Sequence, residues 1–187
     1  EHGYDQASLN AICQRAHISK GIIYHYFQDK DALYIACVKA CFEALAAYYH
    51  KHGATAMEKG SIRQFMELRM SFFQEYPQLR GLFFHALLQT PERLKQEVAD
   101  AKQGLDDIHH SLYMNYLHNV QLRPHISTAK AVAYLDFMVD AYNDFFRKRM
   151  EACPDSFDAS IQKHEQELED WLDLMTVSYT HLTLPTI

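Results

Sequence analysis

The chain has 187 residues, of which 48% are hydrophobic, so it is long and apolar enough to bury the core of one moderate domain or two small ones. Its formal net charge of −6 argues against a protein that coats nucleic acid without sequence preference. Four cysteines without a C-x-x-C pair, and no evident run of about 18 apolar residues, indicate a reduced cytoplasmic protein that makes no contact with a membrane.

Two short helices joined by a tight turn are predicted near the start of the chain. The first follows Ser8, whose hydroxyl can accept a hydrogen bond from a free backbone N–H, and it ends at about Ala16. The second begins at Ser19, another capping residue, and its Ile23 and Phe27 lie four apart and face the first helix. This is the arrangement of a helix-turn-helix, whose second helix lies in the DNA major groove.

A longer pattern runs from Ser19 to Lys30 and reads Ser-Lys-Gly-x-x-Tyr-x-x-Phe-x-x-Lys. With this pattern, residues 3 to 45 resemble the TetR family of bacterial transcriptional regulators. Two positions depart from the family: His17 stands where a left-handed glycine is usual, and Ala7 stands where a phosphate-contacting threonine is common. The resemblance implies an all-α fold, with a TetR-like helix-turn-helix domain followed by an α-helical domain for ligand binding and dimerisation.

The resemblance also assigns residues to the contact with DNA. Gly21 would allow the backbone to approach the duplex, and Ser8 caps the first helix. Ile22 and His25 would face base edges, where Ile22 can make only apolar contact, for instance with a thymine methyl group. The residues that would contact phosphates are Ser19, Lys20, Tyr24, Tyr26 and Lys30.

Both ends of the chain depart from the family pattern. Family members carry another helix before the helix-turn-helix, and this chain starts at about the end of that helix without a methionine. We therefore expect an N-terminally truncated fragment whose first helix is missing. Residues 177–187 have no helical period and resemble a translated sequencing adapter, so we expect a non-native tail.

Helices are also predicted along the rest of the chain. Asp29 can cap a helix from about Lys30 to His52, and residues 53–60 read as a linker. Further helices are predicted over 61–76, 78–89, 91–120, 127–151 and 156–175. Without an alternating strand pattern, the fold class is all-α. The predicted division is a helix-turn-helix domain with its connecting helix (1–50), a helical effector-binding and dimerisation domain (51–176), and the tail (177–187).

The last two predicted helices carry more apolar surface than their own domain needs. In 127–151 the polar residues form one narrow stripe, and in the last helix apolar residues recur every three or four positions. The resemblance implies that these helices form a four-helix bundle with a second subunit, and packing within one chain is the alternative. The expected interface residues are Phe145, Phe157, Ile161, His164, Leu168, Trp171, Leu172 and Met175.

The middle helices are rich in aromatic residues and methionine, which suits a small hydrophobic or aromatic effector. For each single residue, ordinary core packing is the alternative. The candidate ligand-binding residues are Phe84, His85, Tyr113, Tyr116, Tyr134, Met138 and Tyr142.

Metal and catalytic chemistry have little support. Asp106, His109 and His110 lie within about one helical turn, but the sequence fixes no third ligand, so no metal or other cofactor is predicted. There is no nucleophile elbow, phosphate-binding glycine loop or HExxH motif, so we predict that the chain is not an enzyme.

Together these observations predict an effector-responsive regulator, commonly a repressor in this family, that binds a palindromic DNA operator as a homodimer. An all-α small-molecule-binding protein or enzyme on the same scaffold, without DNA function, is the alternative. Residues 1–50 hold four Lys and Arg against five Asp and Glu, which favours the alternative, whereas the intact motif opposes it.

Overall fold

The computed structural model describes residues 4, 7–152 and 156–177, with the backbone alone for 169, 173, 176 and 177. Within these ranges the chain forms nine α-helices and one short 3-10 turn, Glu92–Leu94. The helices are α1 (Leu9–Ala16), α2 (Lys20–Tyr26), α3 (Lys30–His52), α4 (Ala54–Lys59), α5 (Ile62–Glu75), α6 (Pro77–Leu88), α7 (Lys95–His118), α8 (Thr128–Ala152) and α9 (Phe157–Val177). The predicted all-α class is confirmed. The predicted tail, apart from the backbone of Val177, lies outside the described residues.

The predicted capping residues fix where the first three helices begin. The side-chain oxygens of Ser8, Ser19 and Asp29 each accept a hydrogen bond from the backbone N–H three residues later, at 3.1, 3.4 and 2.8 Å. Each bond satisfies a donor that has no partner inside its helix. α1 ends at His17, whose φ of 54° is left-handed, so this residue adopts the conformation in which glycine is less strained.

The segment predicted as a linker, residues 53–60, forms a helix instead. α4 occupies most of it, its Ala56 is buried, and it ends at Gly60 with φ 61°. A Cβ atom at Gly60 would lie 2.3 Å from the backbone nitrogen of Tyr116 in α7. The two glycines that bound this segment therefore mark the ends of a packed helix, and Gly60 permits the close approach of α4 and α7.

α3 lies at the centre of the helical body. It contacts α5, α6 and α7, and its Val38, Cys41, Phe42 and Leu45 are buried there. Among the described helices, α3 is also the one that is long and apolar enough to cross a membrane, so the prediction that no segment meets this criterion is wrong. Its Val38, Phe42 and Leu45 are buried against neighbouring helices of the same chain, while Leu33 and Ile35 are partly buried.

Candidate DNA-recognition surface and ligand cavity

α2 presents a nearly continuous exposed face. Ile23 is buried and holds α2 against α1, where Cys13 is buried in turn. The exposed side chains include Ile22, Tyr24 and Tyr26, and the ring of His25 meets the ring of Tyr26 edge-on at 4.9 Å between centroids. The structure therefore brings together the predicted base-facing residues and the tyrosines on one accessible helix.

Lys20 and Lys30, both predicted to contact phosphate, have different surroundings. Lys20 is exposed at the first position of α2. The ammonium of Lys30 donates a hydrogen bond to the carbonyl oxygen of Tyr4 at 3.0 Å and lies 4.0 Å from the centre of the Tyr4 ring. Lys30 thus already holds the chain before α1 in place, and its contact with phosphate stays a prediction.

A cluster of three side chains, Tyr4, Asp31 and Arg93, joins the start of α3 to the 3-10 turn before α7. The Arg93 guanidinium donates to both oxygens of Asp31 at 2.9 Å and to the Tyr4 hydroxyl at 2.6 Å, and the Tyr4 hydroxyl donates to Asp31. These bonds hold the pKa of Asp31 below its usual range. Burial and the Asp31 carboxylate raise the pKa of Tyr4 to about 12.

The cluster of Tyr4, Asp31 and Arg93 partly offsets the excess of acidic over basic residues in residues 1–50. Asp31 is neutralised by Arg93, which comes from a distant part of the sequence. Asp29 is held at the start of α3 by the backbone N–H that it caps. Two of the acidic residues that argued against DNA binding therefore have defined structural roles.

A cavity of about 350 Å³ lies among α3, α5, α6, α7, α8 and α9. Phe42, Phe83, Leu105, Val139 and Leu168 form its apolar wall. A second cavity of about 320 Å³ shares lining residues with it, including Phe42 and Lys102, and a third of about 70 Å³ shares Arg69 and Tyr113. The first is large enough for a small organic ligand.

A buried ion pair lies beside this cavity, and its Arg69 is part of the lining. Arg69 Nη2 lies 2.8 Å from Glu165 Oε1, and the two side chains are 11% and 7% exposed. Burial raises the pKa of Glu165, but the neighbouring Arg69 guanidinium acts most strongly in the opposite direction, and the pKa of Glu165 lies below its usual range. Arg69 Nε, Glu165 Oε2 and His164 Nδ1 are buried without a hydrogen-bond partner among the described residues.

His164 and His109 are both held neutral beside this ion pair. Burial lowers the pKa of each, to about 3 for His109. The nearby Arg69 guanidinium lowers both further, while the Glu165 carboxylate opposes the shift of the His164 pKa in part. His164 Nε2 lies 2.9 Å from Asn143 Oδ1. His109 packs among the rings of Tyr49, Phe65 and Tyr113.

The opposite side of the cavity is acidic. Burial raises the pKa of Asp106 and of Asp136. The carboxylate of Asp140 raises both further, whereas His110, which also lines the cavity, lowers the pKa of Asp136. Lys102 Nζ lies 3.2 Å from Asp106 Oδ1 and opposes this effect on Asp106. The cavity thus combines an apolar wall with carboxylates at its edge.

The family profile described as "Bacterial regulatory proteins, tetR family" matches residues 1–37, which include the capped helices α1 and α2. The chain is 40% identical to the HTH-type transcriptional repressor Rv1474c of Mycobacterium tuberculosis over 53 residues, which cover 28% of each chain. Over 124 residues, 66% of this chain, it is 24% identical to the HTH-type transcriptional regulator RutR of Escherichia coli K12. The matched regions span 28% and 58% of those two relatives.

A solved structure extends the likeness of fold over the length of the chain. A TetR family transcriptional regulator from Chloroflexus aurantiacus J-10-FL superposes with a TM-score of 0.54, covering 96% of this chain and 86% of that one at 18% identity. Residues 1–37 thus resemble the DNA-binding part of TetR family regulators, and the fold of the whole chain resembles that of one family member. The helical arrangement of the chain is the TetR-like fold that the sequence predicts.

The structure separates the predicted ligand-binding residues. Tyr113 lines the first and third cavities, and the other six are not in the described lining of the three. Phe84 and Tyr142 are buried in the core, and the Tyr142 hydroxyl donates to the carbonyl of His164. His85 stacks on Phe157 with ring centroids 3.8 Å apart. The remaining three, Tyr116, Tyr134 and Met138, are partly buried at the edge of the core.

Most of the predicted dimer seam is buried within the chain itself. Five of the eight residues are buried in the monomer, because α9 turns its apolar side toward the core: Ile161, His164, Leu168, Leu172 and Met175. Phe157 is half-buried against His85. These six residues therefore pack within one chain, which was the alternative to a dimer interface. Phe145 and Trp171 remain 50% and 36% exposed.

Several residues of the cavity were missed from the sequence. Arg69 and Glu165 are 96 positions apart, and no local pattern connects them. Asp136 and Asp140 belong to the polar stripe predicted in residues 127–151, and their four-residue spacing predicts that they lie on one face of α8. Among the described residues no group of three or more His, Cys, Asp or Glu side chains is placed to hold a metal, and this includes Asp106, His109 and His110.

Proposed function

We propose that this chain is a DNA-binding transcriptional regulator, acting as an effector-responsive repressor, that binds a two-fold symmetric operator as a homodimer. The observation that carries the proposal is the exposed face of α2 on a capped helix-turn-helix. The match of residues 1–37 to the TetR family profile and the likeness to a repressor of Mycobacterium tuberculosis support it. The proposed organisation is a DNA-binding domain over 1–50, an effector and dimerisation domain over 51–176, and a non-native tail.

The proposed DNA contact uses α2 in the major groove. Ile22 and His25 face base edges, Ser19, Lys20, Tyr24 and Tyr26 contact phosphates, and Gly21 lets the backbone approach. Ser8 and Lys30 complete the contact from α1 and α3. In a symmetric dimer, two such helices enter successive major grooves about 34–36 Å apart.

Selection from random duplex DNA tests this function directly. The chain should enrich a site with two-fold symmetric half-sites, and the affinity for that site should fall as salt rises, because binding releases counterions from the phosphates. A folded dimer that enriches no sequence would contradict the proposal. That outcome would favour the alternative, a small-molecule-binding protein or enzyme on the same scaffold.

Lys20→Ala should weaken binding to all duplexes by a similar factor. Lys20 is exposed and lies at the start of α2, so its ammonium is placed to contact a phosphate and not a base. We expect the slope of log affinity against log salt concentration to fall by about one. The matched control is Lys39→Ala, which removes an exposed lysine paired with Glu43 on α3. Equal slopes for Lys20→Ala and the unchanged protein would remove Lys20 from the contact.

The proposed dimer interface is the exposed aromatic face of α8 and α9, made by Phe137, Phe145 and Trp171. Phe137 is 67% exposed, and the ring of Phe145 lies 6.2 Å from that of Trp171. Exposed aromatic side chains grouped in this way are typical of protein interfaces. This face replaces the predicted seam, of which only Phe145 and Trp171 are retained.

Phe145→Glu should convert the dimer to a monomer while the fold is kept. Half of the Phe145 side chain is exposed in the monomer, and Arg149 lies 5.6 Å from its ring, where it can pair with a new carboxylate. Sedimentation of the variant should show about a tenfold or larger increase in the dimer dissociation constant. Gln162→Glu is the control, since it adds the same charge on the opposite side of α9 from Trp171. A variant that dimerises as tightly as the parent would exclude this face.

The proposed effector site is the cavity of about 350 Å³, which has an apolar wall suited to a small hydrophobic or aromatic molecule. α3 connects the two proposed domains, and its Phe42 lines this cavity. Binding there would reposition α3 and so change the spacing of the two recognition helices. We propose a cytoplasmic protein without catalytic activity or membrane contact.

A further inference from the structure

The charges around the cavity point to the kind of effector it binds. Its lining carries four carboxylates against two cationic side chains, Arg69 and Lys102. Both cations are already paired, Arg69 with Glu165 at 2.8 Å and Lys102 with Asp106 at 3.2 Å. An anionic ligand would therefore meet no unpaired cation in the described lining.

Two carboxylates of α8 remain without an ion pair or hydrogen bond among the described residues. Asp136 and Asp140 are four residues apart, so they lie on the same face of α8. Asp106 lines the same cavity from α7. When Asp106, Asp136 and Asp140 are all ionised, repulsion among their charges raises their electrostatic free energy. A positive charge placed between them would lower that free energy.

An independent observation comes from His164, which lines the same cavity and is 1% exposed. Its Nε2 lies 2.9 Å from Asn143 Oδ1, and its Nδ1 lies 3.8 Å from Glu165 Oε1. Nδ1 is buried without a hydrogen-bond partner among the described residues, and a hydrogen bond from Nε2 to Asn143 leaves it as an acceptor. A buried acceptor of this kind is stabilised by a ligand that donates an N–H or O–H group.

We propose that the cavity binds an organic cation, with an ammonium group at Asp136 and Asp140, a flat apolar body against Phe42 and Phe83, and a second donor at His164. The proposal rests on the proposed effector-responsive function. It narrows the effector from a hydrophobic or aromatic molecule to a positively charged one. Charge-assisted hydrogen bonds from the ammonium would supply the selectivity, and the aromatic walls would supply contact area.

Three indole compounds of similar shape test the charge preference: tryptamine, which is cationic, tryptophol, which is neutral, and indole-3-propionate, which is anionic. Calorimetric titration of the full chain near neutral pH should show tryptamine binding about tenfold or more tightly than tryptophol. Indole-3-propionate should bind more weakly than either. 1-Methyltryptamine, which lacks the indole N–H, should bind more weakly than tryptamine because it leaves His164 Nδ1 without a donor.

The variant Asp136→Asn/Asp140→Asn keeps the shape of both side chains and removes their charge. It should lower the affinity for tryptamine to that for tryptophol and leave tryptophol binding unchanged. Asp100→Asn is the control, since Asp100 is an exposed residue of α7 that accepts a hydrogen bond from Gln96 and does not line the cavity.

The proposal is overturned if tryptamine and tryptophol bind equally, if indole-3-propionate binds best, if none of the three binds, or if the double variant keeps the preference. The DNA selection uses none of these compounds, so the two proposals fail separately. A chain that enriches a DNA site without preferring tryptamine keeps its DNA function and loses this inference. A chain that prefers tryptamine and enriches no DNA site keeps the cation site and loses the regulatory function.

Discussion

Glu165→Gln is expected to lower the free energy of unfolding by about 3–5 kcal/mol, because it leaves the Arg69 guanidinium buried without its counter-charge. The two side chains are 11% and 7% exposed, so water screens their interaction little. Denaturant unfolding at a fixed protein concentration measures the change. The pKa of Glu165 is lowered in the folded protein, so its contribution to stability is present above the ordinary glutamate pKa and is lost as pH falls through the lowered pKa.

Replacing both partners separates the buried charge from the packing. Arg69→Met/Glu165→Met fills similar volume without any charge, so it should recover most of the stability that the single change loses. A single variant within about 0.5 kcal/mol of the parent would show that the pair contributes little, since changes of that size are ordinary for surface sites. A double variant as unstable as the single one would assign the loss to packing.

Gly60→Ala is expected to destabilise the protein by at least about 2 kcal/mol, combining about 1–2 kcal/mol for a left-handed residue with about 1–3 kcal/mol for overpacking. Gly60 has φ 61°, and the added Cβ would lie 2.3 Å from the Tyr116 nitrogen and 2.5 Å from its Cα. Both atoms belong to the backbone of α7, which cannot rotate away as a side chain can. α4 and α7 must therefore separate.

A second glycine supplies a control of opposite sign. Gly104 lies inside α7 and a Cβ there meets nothing within 4 Å. Gly104→Ala should raise the free energy of unfolding by about 0.5–1 kcal/mol, because alanine loses less backbone entropy in a helix. If both changes were neutral, the close contact between Gly60 and α7 would be contradicted.

Local features of this fold were predictable because they depend on neighbouring residues. Ser8, Ser19 and Asp29 are capping residues whose partners lie three positions away, so the starts of α1, α2 and α3 follow from the sequence. Residues 53–60 show the limit of this reasoning. Two glycines in eight residues are typical of a loop, but the six residues between them are mostly good helix formers, and Gly60 packs against a helix far along the chain.

The sites divide in the same way. The helix-turn-helix was predictable because its residues are adjacent in sequence. The apolar seam of α9 was predicted to face a partner subunit. Residue spacing shows that a helix face is apolar but does not show what covers it, and Ile161 and Leu172 are buried by their own chain. Arg69 and Glu165 come from different helices, and their pairing required the folded structure.

The small number of buried side chains in α1 and α2 affects how the molecule opens. These helices bury Cys13 and Ile23, whereas the side chains that fill the body come from α3 onward. Local unfolding costs least where few apolar contacts are lost, so we expect amide hydrogens in α2 to exchange with solvent faster than those in the centre of α3. A duplex that binds only folded α2 shifts this local equilibrium toward the folded state. The free energy needed to fold α2 makes the observed free energy of DNA binding less favourable by the same amount.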